Sequence, residues 1–214
     1  MSGADPHAGQ PVLAAGAPLD GASAAAILVH GRNAGPRNIL ELATPLAHPG
    51  VAFVAPAAAG HTWYPLSFLA AREQNEPGLS SALRVLRQHV DDIEARGIPR
   101  SRIVLLGFSQ GACLAAEFAL RHPGRYGGVV VFSGGLIGPP GTTWNESGDF
   151  AGTPAFFGCS DVDAHVPRWR VDESAAVFTR MGAATDLRIY PGMAHLVNDD
   201  EIAAARAVIA AANG

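Results

Sequence analysis

The sequence predicts an α/β domain, a mostly parallel, doubly wound sheet with helices on both faces. Three observations predict it. Short apolar runs recur along the chain and are continuous rather than alternating, as in strands buried on both faces. Stretches of helical spacing separate these runs. No internal repeat or interdomain linker interrupts the alternation, so the 214 residues read as one folding unit with enough chain for a full core. Right-handed crossovers then put the ligand crevice at the carboxyl ends of the strands.

Residues 1–10 read as a loose tail and Pro11 to Ala15 as a short edge strand. Residues 1–22 thus precede the domain proper, 23–214. Ala24 to His30 is a buried strand that stops at His30-Gly31, and Asn38 to Ala47 has helical spacing in Ile39, Leu40, Leu42 and Leu46. Val51 to Ala55 is the next strand. The long segment Pro56 to Pro77 is irregular and carries Trp63, Tyr64, Phe68 and Leu69. Leu79 to Arg96 is amphipathic, with Leu79, Leu83, Leu86, Val90 and Ile93 on one face. Arg102 to Phe108 is a strand and Gln110 to Arg121 a helix. Gly127 to Phe132 and Pro154 to Cys159 are strands on either side of a Gly/Pro-rich loop. Val171 to Met181 is a helix and Asp186 to Tyr190 the last strand. Asn198-Asp199-Asp200-Glu201 opens a final helix that runs to about Ala212.

Composition excludes several classes of function. Apolar residues make up 48% and charged residues 16%, an ordinary globular balance, and the net charge of −4 gives no footprint for nucleic acid. All fifteen basic residues are arginine. This removes Schiff-base lysines, Ser-Lys dyads and phosphate-loop lysines. No apolar run approaches the roughly 20 residues that span a bilayer. The first sixteen residues lack the basic start and apolar core of a signal peptide, so the expected location is cytoplasmic. Cys113 and Cys159 read as buried free thiols. No His or Cys pair has metal-ligand spacing.

The chemistry concentrates at Gly107-Phe108-Ser109-Gln110-Gly111, between a strand and a helix. A serine on such a turn stands above the sheet in a strained conformation, and the flanking glycines let strand and helix pass closely. A serine hydroxyl needs a base, and the base needs an orienting acid. On this kind of sheet the acid and then the base follow the serine in chain order. Asp161 and Asp163 both follow the strand Pro154 to Cys159. His195 follows the last strand in Tyr190-Pro191-Gly192-Met193-Ala194-His195. An oxyanion formed at Ser109 needs two donors, for which the backbone N–H groups of Gln110 and Arg32 are placed. His30 reads as a support for that loop and His165 as a rim residue.

These motifs resemble the phospholipase/carboxylesterase family of α/β-hydrolases, which includes the acyl-protein thioesterases. The carriers are His30-Gly31-Arg32, Gly107 to Gly111, Asp161-Val162-Asp163-Ala164-His165-Val166-Pro167 and Tyr190 to His195, in the family's order across residues 24–212. The resemblance implies an α/β-hydrolase fold without a cap domain, Ser109 as nucleophile and His195 as base. It places the acid at Asp163 rather than Asp161. Cys159-Ser160 replaces the family's His-Gly, and Arg32-Asn33 stands where many members carry an apolar residue and glycine. Arg32 therefore brings a positive charge toward the acyl site.

The expected activity is hydrolysis of short- to medium-chain carboxylic esters through an acyl-enzyme on Ser109, with no cofactor and no metal. Thioesters and lysophospholipids are alternatives, and a non-catalytic ligand-binding protein on the same scaffold is the alternative of another class. Expected substrate contacts are Trp63, Tyr64, Phe68, Leu69, Val166 and Met193, with Leu136, Ile137 and Leu196 as further candidates. The expected partner is a small ester or thioester, with neither nucleic acid nor stable membrane insertion; the reading allows a homodimer.

Overall fold

A computed structural model describes residues 5–214. Seven strands form one sheet in the order β1-β3-β2-β4-β5-β6-β7. The strands are β1 (Val12–Gly16), β2 (Ala24–Val29), β3 (Val51–Pro56), β4 (Ile103–Phe108), β5 (Gly128–Phe132), β6 (Pro154–Ser160) and β7 (Ala184–Tyr190). β1 is antiparallel to β3, and every other pairing is parallel. The helices are α1 (Pro36–Leu40), α2 (Gly78–Ala95), α3 (Gln110–Arg121), α4 (Arg168–Arg180) and α5 (Asp199–Asn213).

Every residue of β2, β3 and β5 is buried, which explains their unbroken apolar sequences. Strand periodicity divides those residues between two cores. Ala25, Ile27 and Val29 of β2 pack with α2, α3 and α4. Ala24, Ala26 and Leu28 pack with α1 and α5 on the other face. β3 lies on one side of β2 and β4 on the other, so the strand order reverses between β2 and β4. A crevice opens at the carboxyl ends of strands at such a point.

Three expectations need correction. The helix expected over Asn38 to Ala47 is only the single turn α1 followed by a tighter turn at Glu41–Ala43. Pro45 lies inside the expected span and lacks the backbone donor that a continuing helix would use there. α4 begins three residues earlier than expected, at Arg168 directly after Pro167.

The tail is not loose where the structure describes it; its first four residues lie outside the described ones. Asp5 pairs with Arg84 at 2.9 Å. The buried His7 accepts from Ala59 N–H at 3.1 Å through Nδ1, and its Nε2–H donates to Trp63 O at 2.9 Å. This segment pins the loop before the aromatic cluster to helix α2.

The Gly/Pro-rich loop after β5 is held by a buried cation. The Arg170 guanidinium donates to the carbonyls of Leu136, Gly138 and Pro139 and lies against the rings of Trp144 and Trp169. The buried Glu117 carboxylate accepts from Ile137 N–H and pairs with Arg121. Leu136 and Ile137 are fully buried by this packing and belong to the core.

Candidate active site

Ser109 lies between β4 and α3 with φ 56° and ψ −120°, a left-handed conformation that a non-glycine residue adopts only under constraint. The constraint is visible on both sides. Ser109 N–H donates to Phe132 O at 2.9 Å, and Ser109 O accepts from Cys113 N–H at 3.0 Å. The turn also needs its glycines. A Cβ on Gly111 would lie 2.1 Å from Val29 O, and one on Gly107 would lie 2.4 Å from Gly111 C. Serine is thereby lifted to the crevice beside the end of β2.

Three side chains from three strand ends meet there. His195 Nδ1 is 2.6 Å from Asp163 Oδ2, and His195 Nε2 is 2.9 Å from Ser109 Oγ. A carboxylate only accepts, so the proton sits on Nδ1 and Nε2 keeps the lone pair that faces the serine hydroxyl. The Phe108 ring lies against the imidazole with centroids 4.8 Å apart.

The Asp163 side chain is wholly shielded from solvent, and its Oδ1 accepts from His165 N–H (2.8 Å) and Val166 N–H (3.0 Å). Burial pushes its carboxyl up. The hydrogen bonds from His195 and the two amides outweigh that and hold the group below its ordinary range. The Cys159 thiol, pushed up to about 12 by burial, lies 3.8 Å from Asp163 Oδ2. It is a protonated neighbour, not a second nucleophile.

Asp161 has a different task. Its Oδ1 accepts from Gly192 N–H at 2.8 Å, which ties the loop that carries His195 to the loop that carries Asp163.

The amides of Arg32 and Gln110 donate to no other protein group among the described residues. Gln110 starts α3, so its N–H is one of the helix's unpaired first-turn donors. Arg32 follows β2, the neighbour of β4. His30 props this loop. Its Nδ1–H donates to Gly31 O at 2.8 Å and its Nε2 accepts from Ala58 N–H at 3.1 Å. Burial lowers its pKa and favours this neutral form.

A cavity of about 540 Å³ opens over Ser109 and His195. Tyr64, Phe68 and Val166 line it as expected, together with Arg32 and Gln110. Trp63, Leu69 and Met193 do not line it. Trp63 is fully buried because its indole N–H reaches His30 O at 2.9 Å, which turns the ring under the loop. Leu69 packs against the core, and Met193 Sδ receives Asn198 Nδ2 at 3.0 Å outside the cavity. Leu196 is exposed and also absent from the lining. Sequence reasoning missed Asn33, Leu66 and Ser67 as lining residues, which sit on irregular backbone without periodicity.

Arg32 stands beside the cavity, as expected, and has a further role in its wall. Its Nη1 donates to Pro65 O at 2.8 Å, and its Nη2 donates to Tyr64 O at 2.9 Å and Leu66 O at 2.6 Å. Arg32 lines the cavity, and its guanidinium grips the cavity wall.

A parallel sheet with a strained serine at the end of β4, and an imidazole and carboxylate at the ends of later strands, defines an α/β-hydrolase. Residues 14–213 match the phospholipase/carboxylesterase family, and the chain belongs to it.

It is similar to Acyl-protein thioesterase 1 of Eremothecium gossypii, 31% identical over 146 residues that cover 64% of this chain and 60% of that protein. It is similar also to a probable carboxylesterase of Oryza sativa subsp. japonica, 28% identical over 130 residues, with 60% and 48% covered. The chain thus spans about half to three-fifths of the length of these curated relatives. A solved phospholipase/carboxylesterase from Dyadobacter fermentans is 40% identical with a TM-score of 0.90, over 94% of this chain and 96% of that one. For the solved esterase PE8 the values are 25% and 0.77, over 94% and 97%.

Proposed function

We propose that the protein is a serine carboxylesterase that hydrolyses short- to medium-chain carboxylic esters. One observation carries the reading. Ser109, His195 and Asp163 form an unbroken hydrogen-bonded line, with 2.9 Å and 2.6 Å links, at the mouth of a cavity. In this reading His195 Nε2 takes the Ser109 proton as Oγ attacks the ester carbonyl. Asp163 stays ionised and stabilises the imidazolium that forms. The N–H groups of Arg32 and Gln110 receive the oxyanion, and the proton on Nε2 passes to the leaving alcohol. Water then repeats the sequence on the acyl-enzyme and releases the acid.

The open, cap-less cavity favours short and medium acyl chains. The similarity to a protein named as a thioesterase favours one second reading, in which the leaving group is a thiol. Rates over a series of acyl chains, each presented as an oxygen ester and as a thioester, test both. Turnover that Ser109→Ala abolishes is the expected result. A folded wild-type protein inactive on the whole series would overturn the hydrolase reading and leave a binding protein.

A further inference from the structure

We propose that the cavity selects esters that carry a carboxylate, and that Arg32 is the specificity-determining residue. The inference rests on the hydrolase reading and names the substrate class of that site.

The residues that line the cavity include Arg32, His165 and His195, and no Asp or Glu. Two buried acids are already committed. Asp163 is shielded behind His195 and accepts from it. Glu117 is buried and engaged by Arg121 and by Ile137 N–H. Among the described residues Arg32 forms no ion pair. Its acceptors are the neutral carbonyls of Tyr64, Pro65 and Leu66. Carbonyl oxygens hold a guanidinium in place without cancelling its charge.

A free surface arginine samples many rotamers, and ordering it for a ligand costs entropy. Here three hydrogen bonds have fixed the group before any ligand arrives. A guanidinium has five N–H donors. Three are used, including both on Nη2, which leaves the Nε–H and one Nη1–H on separate edges as single donors for an anion. The residue is exposed to solvent, so a carboxylate need not shed all its water to pair with it. A charge-assisted hydrogen bond from either free donor to a carboxylate oxygen is stronger than one between neutral groups. The carboxylate can sit on the acyl or on the alcohol portion of the ester.

The test compares kcat/KM for esters matched in length. Monoethyl glutarate against ethyl hexanoate places the charge on the acyl side. The butyrate ester of a hydroxybutyrate against pentyl butyrate places it on the alcohol side. Wild type is expected to favour the anionic member of at least one pair by about two- to fivefold, the worth of an exposed ion pair. The favoured pair names the side, and added salt should shrink the preference.

Arg32→Gln and Arg32→Met should abolish the preference and Arg32→Lys should keep part of it. Loss of the wall's anchor alone would lower both members of a pair together, so the ratio separates charge recognition from structure. Equal or better use of both neutral esters by wild type overturns the proposal and leaves the hydrolase reading standing. The same holds for a preference that survives in Arg32→Met. Failure to hydrolyse any of the four overturns both.

Discussion

The side chain of Gln110 is hydrogen-bonded to the backbone of Tyr64: its Nε2 donates to Tyr64 O at 2.8 Å. Its Oε1 accepts from the neighbouring Trp63 N–H at 3.0 Å. The residue whose own N–H is proposed to receive the oxyanion thereby also holds the cavity wall. Arg32 does the same from the other side, since its guanidinium takes the Tyr64, Pro65 and Leu66 carbonyls. Contacts between substrate and wall are mechanically continuous with the oxyanion donors, which lets binding energy from remote groups favour the transition state.

Gln110→Ala tests that continuity. It leaves a buried N–H without its acceptor and removes one donor to Tyr64 O, a loss of about 1–3 kcal/mol. Urea denaturation should show a loss in that range. Steady-state kinetics should show kcat falling more than KM rises, because the backbone donor at 110 survives but its surroundings loosen. An unchanged kcat with a raised KM would mean that the side chain serves binding alone.

Asp163→Asn and Asp161→Asn separate the two acids that the sequence places side by side. Asparagine at 163 can present an N–H toward His195, which favours the tautomer that cannot accept from Ser109. A loss in kcat of about 10³–10⁴ is expected. At 161 the retained amide oxygen can still accept from Gly192 N–H, so the loss should stay within about tenfold. Equal losses would mean that the 161–192 tie, not the charge at 163, controls His195.

The central sheet was legible because fully buried strands must be written in continuous apolar residues, and Ser109 and Asp163 were legible because each follows such a run; His195 follows the half-exposed edge strand β7 and was placed by its order in the chain. The serine turn added its own mark: glycines at 107 and 111 are demanded by backbone atoms 2.1–2.4 Å from any added Cβ. Helix α1 was overextended because its apolar spacing continues past Leu40 while Pro45 supplies no donor to a helical ladder. The wall was half legible. Aromatic residues marked the segment, yet which ring faces the cavity is decided by the Trp63 indole N–H reaching His30 O, a contact across 33 positions. The grip of Arg32 and Gln110 on carbonyls had no sequence signal, because every residue type has a carbonyl.

Glycine substitutions should divide sharply by position. Gly111→Ala drives a methyl into Val29 O and His30 O, backbone atoms of a central strand that cannot yield. No folded soluble protein is expected from it by circular dichroism. Gly31→Ala meets Phe108 and Ser109 only at 3.5 Å, an ordinary contact, so this variant should fold with a denaturation midpoint near wild type. A folded Gly111→Ala protein would show that strand β2 and helix α3 can separate, against the close packing of the turn.

Glu201 gives the protein a pH-dependent weakness away from the triad. It is the N3 residue of helix α5 and is fully buried, with Oε2 accepting from Asn198 N–H at 2.9 Å and Oε1 without a protein partner. Burial raises its carboxyl to about 7 from 4.5, Asp200 adds to the rise, and the Asn198 N–H opposes it. The folded state therefore binds more protons than the unfolded state between those values. Its contribution to stability is complete below the unfolded value and is lost as pH rises through about 7. Glu201→Gln keeps an acceptor for Asn198 N–H and cannot ionise. Urea denaturation at about pH 5 and about pH 8 should show wild type losing on the order of 2 kcal/mol more than the variant across the interval. Identical losses in the two proteins would mean that the carboxyl ionises freely in the folded state.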